Sequence, residues 1–172
     1  MRKLVWILVA IFIFISCALS GVTITGKVVD VDDGDTVTVK ANDGYYKVRL
    51  LSIDTPETRR NAKFKKDTTK VYINGEFNVF IRVPPSELLR IGETAKWKLH
   101  SLVYNKVVKV EIEGVDRYKR NLGWLWLDDV LINEYMVANG LARPYMVKGK
   151  YAWRIRQAES KAKKNKIGIY RY

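Results

Sequence analysis

Two short stretches of this 172-residue chain bring together side chains suited to work on a phosphodiester: Asp33-Gly34-Asp35-Thr36 and Val48-Arg49-Leu50-Leu51-Ser52-Ile53-Asp54-Thr55-Pro56-Glu57. Carboxylates are oxygen ligands for a hard cation, and the planar fork of an arginine matches two oxygens of a phosphate. A basic loop further on, Asp116-Arg117-Tyr118-Lys119-Arg120, offers a second fork. Each stretch alone has a plainer reading, since Asp-Gly is a common turn signal and Pro56 stops a strand ladder. Their joint occurrence, with Arg49 five residues before Asp54 and flanked by Val48 and Leu50, is harder to account for as structure alone. His100 is the only histidine and Cys17 the only cysteine. Catalytic triads and multi-histidine zinc sites therefore do not fit, and His100 reads as a solvated or capping residue. Any metal must be held by oxygen, which points to calcium or magnesium.

The strands that must position these groups show as β-rich segments at 22–31, 36–40 and 45–53, with a turn at Asn42-Asp43-Gly44. Residues 107–112 alternate Val108, Val110 and Ile112 with Lys109 and Glu111. Residues 122–127 are apolar on both faces around Trp124 and Trp126, both read as core. Three helices accompany the five strands. The first runs from about Ser86 or Gly92 to Val103, with Ala95, Leu99 and Leu102 on one face and Pro84-Pro85 ahead of it as a breaker. The second covers 131–139 and ends at Gly140, and the third covers 151–164, burying Ala152, Ile155, Ala158 and Ala162. The order β-β-β-α-β-β-α-α predicts an α+β, mainly β fold, a five-stranded Greek-key barrel of the OB type with three packed helices. Residues 58–91 are the least legible: Arg59, Arg60, Lys63, Lys65, Lys66 and Lys70 lack periodicity, while 71–73, Asn74-Gly75 and 77–83 read as an added hairpin.

The chain opens Met1-Arg2-Lys3 and runs apolar to about Leu19, the layout of a secretory signal. The expectation is a leader at 1–20 cleaved after Ser20, a mature domain at 21–172, and a secreted or cell-envelope location. Lipid attachment at Cys17 and an uncut membrane anchor rank below cleavage, because the apolar run falls short of the roughly 20 residues that span a bilayer. A mature part without cysteine has no disulfide and must be stabilised by packing. The formal charge is +13, and without Arg2 and Lys3 there remain 29 basic against 18 acidic residues. A polyanion partner follows, and charge alone does not choose between nucleic acid and anionic lipid.

In chain order, Asp33-Gly34-Asp35-Thr36, Arg49-Leu50-Leu51, Asp54-Thr55-Pro56-Glu57, the 116–120 loop, Val130-Leu131-Ile132-Asn133-Glu134, Gly140-Leu141-Ala142 and Lys166-Ile167-Gly168-Ile169-Tyr170 resemble the staphylococcal nuclease (thermonuclease) family. The resemblance covers nearly the whole mature chain. It implies an OB barrel with three helices and an exported, calcium-dependent nuclease. Such an enzyme hydrolyses DNA and RNA with little sequence preference and leaves 3′-phosphate ends. By motif it implies Asp35 and Asp54 as carboxylate ligands of Ca2+, Thr55 as a carbonyl ligand, Glu57 as a base acting through water, and Arg49 and Arg120 as phosphate-binding catalytic groups. Arg117 and Tyr118 fall at substrate-binding positions. Tyr145 lies near another, where packing after Pro144 is an equal reading. Aromatic faces stack bases and favour single-stranded or frayed ends. The implied state is a monomer with no protein partner, tethered to a membrane only if 1–20 is retained. The family has glycine on both sides of the loop arginine where this chain has Lys119 and Asn121, and its 58–91 stretch is shorter. The alternative is a non-catalytic OB-fold nucleic-acid-binding module at the cell envelope. Such modules lose carboxylates or arginines from the site, whereas this chain keeps all five side chains.

Overall fold

A computed structural model describes residues 21–69, 72–73 and 76–172. The expected leader at 1–20, with Cys17, and the Asn74-Gly75 turn lie outside them. Five strands form the barrel: β1 (Val22–Asp33), β2 (Thr36–Ala41), β3 (Gly44–Leu50), β7 (Val107–Val115) and β8 (Asn121–Leu127). Short strands β4 (Ile53–Asp54), β5 (Tyr72–Ile73), β6 (Glu76–Phe77), β9 (Val130–Leu131) and β10 (Arg143–Pro144) accompany them. The helices are α1 (Ala62–Thr69), α2 (Pro85–Val103), α3 (Ile132–Ala138) and α4 (Ala152–Lys164), with 3-10 turns at Val79–Arg82 and Gly168–Arg171. Among the described residues no helix is long and apolar enough to cross a membrane.

The sheet order is β3-β2-β1-β7-β8-β9, and a parallel pairing of β3 with β8, Val48 opposite Asn121 and Leu50 opposite Gly123, closes the barrel. Closure removes the free edges that an open sheet would expose. Alternation fills the inside: Val28, Val37, Val39, Val48, Leu50, Val108 and Val110 are all buried. Each such side chain stabilises the fold by about 1.5–3 kcal/mol relative to exposure. Two register shifts in β1, at 28–30 and 31–33, let a twelve-residue strand coil around this core. The expected five-stranded α+β barrel is present, with one helix more than expected.

That extra helix, α1, lies in the stretch without periodicity. Only Phe64 and Asp67 of its eight residues are buried, so it carries no amphipathic stripe. It is held locally instead: Asn61 Oδ1 accepts the Phe64 N–H at 2.8 Å, and the Thr68 and Thr69 hydroxyls donate to carbonyls of the preceding turn. Other boundaries also move. Pro85 opens α2 rather than breaking ahead of it, because proline lacks only a donor that the first turn leaves unused. The third strand stops at Leu50, since Ser52 takes a left-handed φ of 64° and turns the chain, and Ile53–Asp54 then pairs with Arg143–Pro144. The expected strand at 77–83 is mostly the 3-10 turn at Val79–Arg82. Trp124 is fully buried, but Trp126 is half-buried and packs edge-on against Tyr151.

Helix α2 covers the barrel end next to the carboxylates through Leu88, Ile91, Ala95 and Leu99. Its Gly92 lies against the main chain of Glu57, where a Cβ would come within 2.4 Å of the Glu57 carbonyl oxygen. Only glycine permits that approach, which fixes the backbone from which the Glu57 side chain departs.

Candidate active site

The turn from β1 to β2 and the register of β2 with β3 build one wall of a cleft of about 460 Å³. Asp33 Oδ1 accepts the Asp35 N–H at 3.1 Å, an Asx turn that presents Asp35 at the strand end. Thr36 pairs with Arg49, which brings the guanidinium beside the Asp35 carboxylate. Arg49 Nη2 is 3.0 Å from Asp35 Oδ2 and 3.3 Å from Asp54 Oδ1, while its Nη1 donates to the Leu50 and Ile53 carbonyls at 3.0 and 2.9 Å. Asp35 Oδ2 also accepts the Thr55 N–H at 3.0 Å and lies 3.2 Å from the Thr55 hydroxyl. Asp35, Arg49, Asp54 and Thr55 thus lie together at one end of the cleft.

The opposite wall comes from Glu57 and α1. Glu57 accepts from Asn61 Nδ2 at 2.5 Å and pairs with Lys63 Nζ at 2.9 Å. Lys63 Nζ is also 3.3 Å from Asp54 Oδ1, 3.1 Å from Asp67 Oδ2 and 3.4 Å from the Thr55 carbonyl oxygen. Behind the site, Arg143 grips Asp54 Oδ2 with Nε at 3.1 Å and Nη2 at 2.8 Å, and donates to Asn78 Oδ1 at 2.8 Å. Lys63, Asp67, Asn78 and Arg143 were not foreseen as part of the centre. The only trace of the first two in sequence is their i, i+4 spacing inside a charged run. Arg143 shows only as a polar residue beside Pro144, with nothing to mark it as 3% exposed.

The 116–120 loop reaches the same cleft. Asp116 accepts the Tyr118 and Arg120 N–H groups at 2.8 and 3.0 Å and pairs with the Arg120 fork, Nε and Nη2 both at 2.8 Å. Arg120 therefore pairs within its own loop rather than with the cleft carboxylates, and its Nη1 reaches the Thr36 hydroxyl at 3.4 Å. Tyr118 is 64% exposed at the rim, with Arg117 stacked over its ring at 4.7 Å and Arg120 over it at 5.5 Å. Tyr145 lines the cleft with Arg143 over its ring at 5.6 Å. Lys119, at a glycine position of the resemblance, has φ +62°, so the loop keeps a left-handed turn without glycine. Asn121 is ordinary strand, paired with Val48 and Val115. His100, away from the cleft, is exposed and stacks on Tyr104.

Burial pushes the Asp33 carboxyl up, reinforced by the Asp35 charge, to about 7. Burial also pushes Asp54 up, but Lys63, Arg143 and Arg49 together overcome it and hold this carboxyl below its usual range. Lys63 is raised because Asp54, Asp67 and Glu57 outweigh its desolvation. Asp54 is therefore held as a carboxylate by three cations, while Asp33 beside it keeps its proton to higher pH.

Asp35, Asp54 and the Thr55 carbonyl are hard donors of the kind that suit a divalent ion. Among the described residues no three His, Cys, Asp or Glu side chains are arranged to hold an ion by themselves. The donors fit a metal chemically, with the Lys63 ammonium resting on Asp54 and Thr55.

Residues 47–172 match the family model described as staphylococcal nuclease homologue. The chain is 32% identical over 149 residues to the thermonuclease of Staphylococcus hyicus, covering 85% of this chain and 75% of the relative. It is 28% identical over 142 residues to the thermonuclease of Staphylococcus intermedius, covering 80% and 71%. To a prophage-derived endonuclease of Bacillus subtilis it is 29% identical over 144 residues, 80% of this chain but 41% of that protein.

Proposed function

The chain belongs to the staphylococcal nuclease family and is a nuclease of that type, and on that premise we propose that it is an exported, calcium-dependent endonuclease that cleaves DNA and RNA with little sequence preference. Its leader is 1–20, its catalytic domain 21–172 with 58–91 as an added region, and its working state a monomer. The observation that carries this reading is the meeting of Asp35, Arg49, Asp54, Thr55, Glu57 and Arg120 on one cleft.

The family uses a metal cofactor, and calcium is the ion proposed here. Asp35, Asp54 and the Thr55 carbonyl would hold it. When bound, the ion supplies positive charge opposite a phosphoryl oxygen. Glu57 takes a proton from the attacking water, a transfer that typically contributes about 10² to 10⁴ in rate. As the new P–O bond forms, the P–O5′ bond breaks, and the 5′ oxygen leaves with its electron pair and takes a proton from solvent, to which Glu57 returns the one it accepted. Arg49 and Arg120 oppose the charge that grows on the non-bridging oxygens in the transition state, Arg120 once its fork leaves Asp116. Lysine at either position would lack the bidentate geometry. Tyr118, Tyr145 and Arg117 take the flanking nucleotides by stacking and charge, which favours single-stranded or frayed substrate.

The test is cleavage of heat-denatured DNA by the protein in calcium, in magnesium and in chelator. Cleavage in calcium that is lost in chelator and in a Glu57→Gln/Arg120→Ala variant is the expected result. Tight binding with no cleavage by the unaltered protein would overturn it.

A further inference from the structure

We propose that Lys63 is a built-in competitor for the divalent ion: its ammonium sits on oxygens that would hold the metal, and α1 must release it before the centre loads. This rests on the calcium reading above and adds a control to it. Lys63 Nζ lies within 3.4 Å of Asp54 Oδ1, the Thr55 carbonyl oxygen and Glu57 Oε1. Calcium draws such oxygens to about 2.3–2.6 Å, so the ammonium and the ion cannot share them. The lysine also occupies the base, since Glu57 in this state is paired with Lys63 and Asn61. One residue thus blocks two of the metal's donors and the proton acceptor together.

Two features make Lys63 displaceable rather than a permanent part of the core. Its side chain is 41% exposed, whereas Arg49 and Arg143, the other cations on Asp54, are 12% and 4% exposed. Its helix is seated by Phe64 and Asp67, its two buried residues, so the lysine side chain can swing out while the helix stays in place. Asp67, 3.1 Å from Lys63 Nζ, anchors the lysine in the blocking position. Apparent affinity for a ligand falls by the fraction of molecules in the competent state, so a lysine that is seated nine-tenths of the time weakens calcium binding about tenfold.

The experiment is isothermal titration of calcium into metal-stripped full-length protein, with Lys63→Met, Lys63→Arg and a Lys63→Gln/Asp67→Asn double variant. Circular dichroism verifies folding, and the double variant removes the cation together with its helix partner so that no new charge imbalance arises on α1. The expected result is that Lys63→Met and the double variant bind calcium at least about tenfold more tightly, while Lys63→Arg stays within about threefold of the unaltered protein. Calcium should also raise the melting temperature more in Lys63→Met than in the unaltered protein. Equal calcium affinity in the unaltered protein, Lys63→Met and the double variant overturns the competitor role and leaves the calcium reading standing. No calcium binding by any of them up to about 10 mM, roughly ten times the weak end (~1 mM) of the range for calcium sites, overturns both.

Discussion

The two walls of the cleft hold their charges by different means. On the strand-end wall, Asp35, Arg49 and Asp54 are positioned by ladder registers and turns of the closed barrel, and all three are nearly inaccessible to water. On the α1 wall, Lys63 and Asp67 ride on an eight-residue helix capped by Asn61, which is tied to the rest of the molecule through Phe64 and Asp67, its two buried residues. A register is a cooperative property of many backbone hydrogen bonds, whereas a short capped helix is stabilised by a few contacts and opens at lower cost. The rigid wall fits catalysis, which needs fixed donors, and the lighter wall fits control of access.

Arg143 joins the two walls, and breaking it should have the largest effect. Its guanidinium grips Asp54 on one side and lies near Asp67 on the other, with its side chain only 4% exposed. Arg143→Met leaves Asp54 as a buried charge short of a partner, and should cost about 3–5 kcal/mol in urea denaturation. A loss below about 1 kcal/mol, the scale of an exposed pair, would mean that the walls stand independently.

Arg49→Ala tests the strand-end wall through activity. The kcat should fall about 10² to 10³-fold, roughly 2.7–4 kcal/mol of transition-state stabilisation, with a parallel melting curve separating folding from chemistry. A rate near that of the unaltered protein would remove Arg49 from the phosphate.

Asp33 sharpens the comparison by pH. A carboxyl whose folded pKa, about 7, lies above its unfolded value of 3.8 binds more protons folded than unfolded. It therefore costs stability progressively as pH rises from about 4 to about 7, and by a constant amount above that. An amide in place of this carboxyl cannot titrate, yet its oxygen can still accept the Asp35 N–H. The Asp33→Asn variant should accordingly gain on the unaltered protein by roughly 2 kcal/mol between about pH 4 and pH 8, about half of what the full shift carries, since solvent at this partly exposed site screens the rest. Parallel stability curves for the two proteins across this range would refute it.

The smallest effect concerns the loop. Lys119→Gly should stabilise the protein by about 0.5–1 kcal/mol, because a left-handed φ of 62° strains a side chain that glycine lacks. A melting temperature that falls instead would show that the Lys119 side chain contributes more than its backbone costs.

Much of the strand-end wall is legible in the sequence. Alternation in β1, β2, β3 and β7 marks which residues face inward, and Asp-Gly and Thr-Pro mark where strands end, so carboxylates beside those signals fall at barrel rims. Helix α1 was not legible, because capping by Asn61 and back-bonding by threonines leave no periodic trace in a run of lysines and arginines. The turn at Ser52 was missed for a related reason: a left-handed serine between Leu51 and Ile53 looks like continuous strand until β10 pairs with Ile53–Asp54.

What the sequence determined by itself was the barrel and the supply of acidic and basic side chains near its strand ends, with a single histidine and a single cysteine in the chain, since these depend on residue type and on periods of two and about 3.6. Only the tertiary structure decided which cations meet which acids. Arg143 is 89 positions from Asp54, and Arg120 lies 84 positions from the Thr36 it reaches. Pairing over such separations depends on how the closed barrel and its covering helices bring distant strand ends together, and no local pattern encodes that distance.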